Sequence, residues 1–425
     1  MGDGQPSEGV ERVKTVVRSD SPNTQSTKKI TLRRAVLVQV SDFSLGRGLF
    51  LKEALQRAGL DVSVITNRPI YQKAGKESNR NVNYFALDIP FARVLYQSIL
   101  GRLIFYALFS ALAFFTMIRL RAHIMYSRGP QPFTEISCIA YKSFFPNTTI
   151  ISDTTDLWPD SLEFVKINPT LKSLLIRIGL GLNKRVYKHV DAIVTHNDEL
   201  GKILRARFGK PIHIIYGVVD LSIFRVMEKK QAAVGLHTPE ASKLLDKFVI
   251  LYAGLLGPFQ DPLKIIDIAK QSGHDTTFLV IGTGPMKKEL QKRASSLHLE
   301  NIMFLDTQPF ESMPYLYNLA DLHLLTYAKI PFLKIGLPKK FIEYAACGKP
   351  ILCLTPPCVA SDLAITWNAG YCVDPDNTGE IASMIKQLKG DPNRIDIMGK
   401  NARLLAENLF SINSATEVLK TVLQS

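Results

Sequence analysis

Two lysines and one glutamate stand inside an otherwise small and apolar stretch, IGLPKKFIEYAACGKPIL, at residues 335–352. Pro338 is suited to the first turn of a helix, because its missing N–H group would have no partner there anyway. The residues after it would then be helical, with Gly348 ending the helix before an apolar strand. A helix N-terminus carries unpaired N–H groups and a partial positive charge, so this stretch predicts a phosphate site.

Lys339 and Lys340 would add full positive charges at the same helix end, and Glu343 follows one turn later on the face of Lys340. A carboxylate in that place is able to accept hydrogen bonds from sugar hydroxyl groups. The spacing is therefore compatible with a nucleoside diphosphate whose ribose is held by Glu343. A surface ion pair between Lys340 and Glu343 explains the same spacing, and the stretch alone does not decide between the two.

Short β-branched runs alternate with helical patterns from residue 34 onward, which is typical of parallel sheets with crossover helices. Two separate series of such runs predict two doubly wound α/β domains, and 425 residues suffice for two cores. The predicted strands are residues 35–40, 61–67, 123–127, 148–153, 192–196 and 211–216, then 247–254, 276–282, 301–306, 321–327, 350–355 and 369–374.

These series divide the chain into four segments. Residues 1–33 are polar, lack the apolar region of a signal peptide and are predicted to be a disordered tail. Residues 34–220 form the first domain and residues 221–395 the second. The last segment, residues 396–425, is helical with no strand after it, so it is free to cross back to the first domain.

The chain carries a formal net charge of +14 at pH 7, which favours anionic partners such as nucleic acid, phosphorylated substrates or acidic lipids. The basic residues are spread along the chain and no nucleic-acid-binding module is recognisable, so nucleic acid is not an expected partner. The five cysteines form no Cys-x-x-Cys pair and most lie in apolar surroundings, which is typical of reduced core residues in a cytosolic protein.

Asp374 and Asp376 in VDPDN match an Asp-x-Asp metal motif superficially. They directly precede a predicted helix, so we interpret them as loop and N-cap residues. No other cluster has the spacing of metal ligands, and no metal is expected.

Residues 103–118, LIFYALFSALAFFTMI, contain no charged side chain and are bracketed by Arg102 and Arg119. A membrane-spanning helix needs about 20 apolar residues, so this segment is slightly short. A single crossing would also place the strands at 35–40 and 123–127 on opposite sides of a bilayer, although both are expected in one sheet. The segment is therefore predicted to be either a helix buried in the fold or a helix lying in a membrane interface.

The stretch around Glu343 resembles the donor-site segment of retaining GT-B glycosyltransferases of family 4 (group 1), in the branch with the pattern Pro-x-Lys-x-x-Glu-Tyr. Further elements resemble parts of that family in the same order, and the similarity runs from about residue 35 to residue 410. They are DLWPDSL (156–162), YGVVDLSIF (216–224), LYAGLLG (251–257) and VIGTGPMKKEL (280–290). The resemblance implies the GT-B fold, an α/β arrangement of two Rossmann-like doubly wound parallel-sheet domains facing a central cleft.

The same resemblance implies a donor site. Glu343 would bind the ribose hydroxyls and Lys340 the diphosphate, with backbone N–H groups near Pro338 and Lys339 helping to cradle the phosphates. Glycines would let the backbone approach the nucleotide closely, where a side chain would prevent it. They are Gly254, Gly282 and Gly284 in the second domain, and Gly46 and Gly48 in the loop after the first strand.

Two positions depart from the family pattern. The family's earlier glutamate would fall at Ile335, which leaves the contacts to the transferred sugar unassigned. The arginine and lysine usual after the first strand of the donor domain are also replaced, and Gln260 and Lys264 are the nearest polar candidates.

Breaking a sugar–phosphate bond requires stabilisation of the charge on the departing diphosphate, which a lysine and a helix N-terminus supply. The resemblance implies retention of anomeric configuration by a front-face displacement without a covalent enzyme intermediate. Asp153 and Asp156 are the catalytic candidates for orienting or deprotonating the acceptor hydroxyl, with capping of the turn before Trp158 as the alternative role. Arg128 and His196 are the acceptor-side candidates, and a loop role is the alternative for His196.

The sequence therefore favours a glycosyltransferase that uses a UDP- or GDP-linked sugar, needs no further cofactor and no metal, and acts on a lipid-linked or other envelope glycan. We expect it in the cytoplasm, or peripherally on the cytoplasmic face of an anionic membrane. Two alternatives stay open: a sugar-nucleotide epimerase of the same fold, and a non-catalytic nucleotide-binding partner subunit, which Ile335 motivates.

Overall fold

The computed structural model describes residues 32–40, 47–68, 84–129, 132–164 and 167–424. The predicted tail at residues 1–33 therefore lies almost wholly outside the described residues, and Gly46 lies outside them too. Arg33–Ser425 form one compact unit that contains two parallel sheets.

The first sheet has seven strands in the order β3-β2-β1-β4-β5-β6-β7, all paired in parallel. These are β1 (Arg33–Gln39), β2 (Leu60–Asn67), β3 (Tyr84–Leu87), β4 (Ile124–Arg128), β5 (Thr149–Asp153), β6 (Ala192–Thr195) and β7 (Ile212–Ile214). The inner strands are apolar on both faces because helices cover both sides. In the centre of the sheet, Ala35 of β1 lies opposite Val62 of β2 and Ile124 of β4.

Helices separate these strands, and two apolar cores result. On one face of the sheet, α1 packs against the cluster that includes Leu37 and Tyr126. On the other face, α3 to α6 form one layer over the cluster that includes Val38 and Ile193. The helices are α1 (Arg47–Arg57), α2 (Ala92–Leu95), α3 (Ile99–Leu120), α4 (Phe133–Phe144), α5 (Pro169–Tyr187) and α6 (Asp198–Phe208), with a 3-10 helix at Asp160–Phe164.

The second sheet has six parallel strands in the order β10-β9-β8-β11-β12-β13. They are β8 (Phe248–Ala253), β9 (Thr276–Ile281), β10 (Ile302–Leu305), β11 (Leu322–Thr326), β12 (Ile351–Leu354) and β13 (Gly370–Val373). Its helices are α7 (Lys229–Leu236), α8 (Pro239–Ser242), α9 (Leu263–Gln271), α10 (Lys287–Ser296), α11 (Met313–Leu319), α12 (Lys339–Ala346), α13 (Val359–Thr366), α14 (Thr378–Lys389) and α15 (Pro392–Leu405). The prediction of two doubly wound parallel-sheet domains is thus confirmed.

The chain ends on the first domain. After α15, a π-helical turn at Ala406–Phe410 leads into α16 (Ile412–Gln424), whose apolar side packs on α1. The hydroxyl of Thr416 donates to the carbonyl oxygen of Ala54 at 3.5 Å, and Arg57 donates to the side-chain oxygen of Asn413 at 2.7 Å. The last helix therefore ties the two domains together.

The strand order of each sheet reverses at one point, between β1 and β4 in the first sheet and between β8 and β11 in the second. In open α/β sheets, ligands bind beyond the carboxyl ends of the strands at such a switch point. A ligand site is therefore expected at the segments that follow β1, β4, β8 and β11.

Candidate active site

A cleft of about 610 Å³ lies between the two domains at these strand ends. Its first-domain wall comes from the start of α1, the end of β4 and the loops after β5 and β6, and its second-domain wall from the start of α12 and the residues before it. The lining residues are Arg47, Gly48, Arg128, Thr155, Asp156, His196, Tyr216, Gly217, Val218, Tyr327, Gly336, Leu337, Pro338, Lys339 and Ile342.

The start of α12 faces this cleft. Pro338 immediately precedes the helix in extended conformation, with φ −73° and ψ 143°, and its side chain provides no cap for the first-turn N–H groups. At the other end, Gly348 has φ +65°, a left-handed conformation that glycine tolerates and that ends the helix. The local signals in the sequence thus place a helix N-terminus, with its partial positive charge, against the cleft.

The Lys340 ammonium group is buried directly behind this helix start. Within the described part of the chain, Nζ has no hydrogen-bond partner and lies 3.8 Å from the ring centroid of Tyr252. Burial lowers the pKa of Lys340 to about 7. A Cβ atom added to Gly254 would lie 2.8 Å from Nζ, so this cation sits against the loop after β8. A buried cation without a counter-ion is costly, and an anion bound beside it would offset that cost.

Glu343 is 6% exposed, and both of its carboxylate oxygens are engaged. The hydroxyl of Tyr317 donates to Oε2 at 3.0 Å, and the Lys339 ammonium group lies 3.0 Å from Oε1. Burial raises the pKa of Glu343, while Lys339 and the Tyr317 hydroxyl oppose that rise. Lys339 lines the cleft, so the carboxylate lies one side chain behind the cleft wall, and the predicted ion pair forms with Lys339 instead of Lys340.

The glycines of the second domain hold two loops against each other. Gly254 and Gly282 have φ of +137° and +140°, and a Cβ atom on Gly282 would lie 2.0 Å from the carbonyl oxygen of Gly254. A Cβ atom on Gly284 would lie 2.3 Å from the carbonyl oxygen of Leu256. Gly282 and Gly284 must therefore lack a side chain, because the backbone of the loop after β8 lies directly against them. In the first domain, Gly48 lines the cleft at the start of α1.

Asp153 is fully buried and holds two arginines of the first domain. Its Oδ1 lies 3.1 Å from Nη2 of Arg47 and its Oδ2 lies 3.3 Å from Nε of Arg128. Arg47 also donates to the carbonyl oxygen of Ile215 at 2.8 Å, and Arg128 to Oε1 of Gln39 at 3.0 Å. Both arginines line the cleft, so in this arrangement Asp153 orients cleft residues and does not itself reach the cleft.

Asp156 is the exposed carboxylate on the first-domain side of the cleft. Desolvation by the surrounding protein raises its pKa, and the positive charge of Arg128 opposes the rise. His196 lines the same cleft, and burial together with the charge of Arg47 lowers its pKa to about 4, so the imidazole is neutral at pH 7. The structure thus brings Asp156, Arg128 and His196 together opposite the start of α12.

Lys264 and Ile335 lie elsewhere. The Lys264 ammonium group bonds to Oδ1 of Asp376 at 2.6 Å, and Lys329 bonds to the other oxygen of Asp376 at 2.8 Å, so Lys264 is held at the edge of the second domain. Ile335 packs on the apolar core of the first domain, and Asn197 donates to its carbonyl oxygen at 2.8 Å. The position where the family carries a glutamate is here a contact between the domains.

Three residues that sequence reasoning missed shape the site, namely Arg47, Tyr252 and Tyr317. Arg47 lies between Gly46 and Gly48, and this position next to two candidate glycines is the signal in the sequence that could have indicated a role for Arg47 in the site. Tyr252 and Tyr317 read as ordinary apolar residues of a strand and a helix, because their contacts join residues far apart in sequence.

Several known proteins that are similar to this chain are glycosyltransferases. Residues 238–405 match the family model described as "Glycosyl transferases group 1". The chain is 21% identical over 238 residues to an alpha-D-kanosaminyltransferase of Streptomyces kanamyceticus, covering 54% of this chain and 58% of the relative. It is 28% identical over 132 residues to a GDP-mannose-dependent alpha-(1-6)-phosphatidylinositol monomannoside mannosyltransferase of Mycolicibacterium smegmatis, covering 30% and 34%. The chain thus spans less than two thirds of the length of these curated relatives.

A solved structure matches nearly the whole chain. HepE of Anabaena in complex with UDP superposes with a TM-score of 0.68 at 18% sequence identity, over 92% of this chain and 100% of that protein. Residues 238–405 are therefore similar to the group 1 glycosyl transferases, in a chain that has the GT-B fold.

Proposed function

We propose that this protein transfers a sugar, with retention of configuration, from a nucleoside-diphosphate sugar to a hydroxyl group of a lipid-linked or other envelope glycan. The observation that carries the proposal is the buried Lys340 ammonium group, which has no hydrogen-bond partner in the described part of the chain and lies behind the cleft-facing start of α12. Similar proteins support a sugar nucleotide as donor, since one relative is GDP-mannose-dependent and the solved HepE structure contains UDP.

The leaving group explains the charge arrangement. When the bond between the anomeric carbon and the phosphate oxygen breaks, negative charge grows on the diphosphate. We propose that the Lys340 ammonium group and the first-turn N–H groups of α12 stabilise that charge. Because a lysine and a helix N-terminus supply the positive charge, we propose that transfer needs no divalent metal.

The ribose site requires one side chain to move. Glu343 is paired with Lys339, which stands between the carboxylate and the cleft. We propose that Lys339 turns towards the donor phosphates when they bind, and that Glu343 then accepts hydrogen bonds from the ribose hydroxyls. Tyr317 keeps Oε2 occupied and so holds the carboxylate in a fixed orientation during that exchange.

On the acceptor side, we assign the acceptor hydroxyl to Asp156. Its raised pKa makes its carboxylate a stronger base than an ordinary aspartate, and it is exposed in the cleft, whereas Asp153 is paired with two arginines. The neutral imidazole of His196 is able to donate or accept a hydrogen bond at the same position. The acceptor itself is proposed to be lipid-linked and to be met at the cytoplasmic face of a membrane.

The test is nucleotide binding and turnover by Lys340→Met, with Lys264→Met as matched control because Lys264 is held outside the cleft by Asp376. Calorimetry with UDP and GDP should show weaker binding by about 10- to 100-fold in Lys340→Met, as expected for loss of a charge-assisted contact, and little change in Lys264→Met. An equal loss of nucleotide affinity in both variants would show that Lys340 has no specific role in binding the diphosphate.

Product analysis separates the proposal from its rivals. A transferase consumes the sugar nucleotide in proportion to glycosylated acceptor. An epimerase converts the sugar nucleotide without any acceptor, and a non-catalytic partner binds nucleotide without turnover. Finding either of the last two patterns with a panel of lipid-linked acceptors would overturn the proposed reaction.

A further inference from the structure

Helix α3 carries large apolar side chains on its solvent side. They recur every three or four residues and so form one stripe along the helix, with exposed fractions from 39% at Leu112 to 69% at Leu100. The opposite stripe of the same helix is buried in the core of the first domain. The exposed stripe comprises Leu100, Ile104, Leu108, Leu112 and Phe115, and the buried stripe Phe105, Phe109, Ala113 and Met117.

Helix α5 repeats this pattern. Leu171, Leu174 and Ile178 are 49%, 51% and 58% exposed at helical spacing. Helix α4 lies between α3 and α5 and contacts both, and the exposed Phe144 at its end packs on Phe114 of α3. Because the three helices belong to one layer over the same face of the sheet, their outer sides face the same way.

The charged side chains within helices α3 and α5 are all basic. Neither α3 nor α5 contains an aspartate or a glutamate. Exposed arginines lie near both ends of the α3 stripe, at Arg102 and Arg119, and alongside the α5 stripe, at Arg177 and Arg185. An apolar surface bordered only by basic side chains within its own helices complements an anionic lipid surface, in which acyl chains accept the apolar groups and phosphates the arginines.

The packing of α3 in the first domain is incompatible with a membrane crossing. Leu100–Leu120 is long and apolar enough to span by length and composition alone. However, β1 pairs directly with both β2 and β4, and the buried stripe of α3 is part of the core beneath that sheet. Spanning would pull this stripe out of the core, whereas lying in the interface plane uses only the stripe that is already exposed.

Helices α3 and α4 begin on the side of the first sheet where the cleft lies. In a parallel sheet each crossover helix starts at the carboxyl edge of the strands, so α3 and α4 begin at the edge where the cleft lies. A bilayer against the outer side of α3 to α5 would thus bring lipid headgroups near the first-domain wall of the cleft, where Arg128 and Asp156 stand.

We propose that the α3–α5 face, defined as the exposed stripes of α3 and α5 with Phe144, is the docking surface for an anionic phospholipid bilayer. The link between docking and a lipid-linked acceptor rests on the proposed function, whereas bilayer binding by this face does not. The fixed contact also orients the cleft towards the membrane surface.

The experiment uses the full chain with vesicles of phosphatidylcholine alone and of phosphatidylcholine mixed with phosphatidylglycerol, read by co-sedimentation at low and high salt. Two stripe variants, Leu108→Gln with Leu112→Gln and Leu174→Gln with Ile178→Gln, should each lower partitioning onto mixed vesicles about tenfold or more. The control, Ile365→Gln with Ile397→Gln, changes residues that are 56% and 53% exposed on the second domain and should leave partitioning unchanged.

A charge variant tests the headgroup contacts. Arg102→Gln with Arg119→Gln should lower partitioning about fivefold per arginine at low salt, and the difference should shrink at high salt. Folding of each variant is checked by its circular dichroism melting curve. If a stripe variant does not fold, the charge variant still tests the proposal.

The proposal fails if wild type does not bind mixed vesicles at low salt, or if the stripe and charge variants bind as well as wild type. It fails equally if the stripe variants abolish only self-association in sedimentation velocity, since the face would then meet a second copy of the chain. UDP and GDP binding is measured on every variant. Loss of vesicle binding with intact nucleotide binding supports docking, whereas absence of nucleotide binding in wild type counts against the proposed reaction and leaves the docking result standing.

Discussion

The titration of Lys340 should govern the pH dependence of nucleotide binding. Burial lowers the pKa of Lys340 from 10.5 to about 7, so half of the free protein carries a neutral amine at pH 7 and nearly all of it at pH 9. A bound diphosphate favours the charged form and raises this pKa again. Binding above pH 7 must therefore take up a proton, and the affinity for UDP or GDP should fall as the pH rises.

The magnitude follows from the fraction of charged lysine. That fraction is about one half at pH 7 and about one hundredth at pH 9, so affinity should fall about 50-fold over this interval if the bound pKa stays above 9. Two other buried groups beside the site, Tyr252 and His196, have pKa values outside this window. Burial raises the pKa of Tyr252, and the pKa of His196 is about 4.

The assay is calorimetry at pH 7, 8 and 9 in pairs of buffers that differ in ionisation enthalpy, which reports proton uptake directly. Wild type should take up close to one proton at pH 9, and Lys340→Met should bind weakly with no proton uptake. Lys264→Met should behave as wild type, since Lys264 is paired outside the cleft. Equal wild-type affinity at pH 7 and pH 9, or proton uptake that survives in Lys340→Met, would show that Lys340 does not titrate on nucleotide binding.

Four further outcomes are expected. The pKa of Lys340 is about 7 in the folded chain and ordinarily 10.5, so the unfolded chain binds more protons between these two pH values. The wild-type free energy of unfolding, measured in urea, should therefore rise with pH across that window. Lys340→Met should lack that rise. Tyr317→Phe should weaken nucleotide binding by about 3- to 10-fold and lower the free energy of unfolding by about 1 kcal/mol, because Oε2 of Glu343 loses its donor; unchanged binding would show that the hydroxyl does not position the carboxylate. Asp153→Asn should lower the free energy of unfolding by about 3 kcal/mol, because Arg47 and Arg128 lose a buried counter-ion, and a change under about 1 kcal/mol in urea would contradict that role. Transfer measured with excess EDTA should proceed at the untreated rate, and a loss restored by added Mg²⁺ would show that lysine and helix charge do not suffice.

Local signals predicted the elements well. Pro338 before α12 and Gly348 after it are conformational signals that act within a few residues, so the helix and both of its ends could be derived from the stretch itself. Strand β1 was predicted at 35–40 and occupies Arg33–Gln39. Strand β3 was missed, because a short edge strand with half-buried residues lacks the apolar run that marks the inner strands.

The contacts between distant residues were beyond sequence reasoning. The spacing of Lys340 and Glu343 suggested an ion pair, yet the side chain that pairs with Glu343 is Lys339, because Lys340 turns onto Tyr252. Asp153 and Arg47 are 106 residues apart, and only folding of the first sheet brings them together. Helix α3 was predicted to be either buried or interfacial, and the structure shows that one stripe is buried while the other is exposed.

The donor site is tested most directly by a crystal structure of the chain with UDP or GDP. We expect the diphosphate to lie in the cleft within hydrogen-bond distance of Lys340 Nζ and of the first-turn N–H groups of α12, with the ribose hydroxyls on Glu343. A nucleotide bound elsewhere, with the Lys340 ammonium group still packed on Tyr252 and without a phosphate partner, would contradict this expectation.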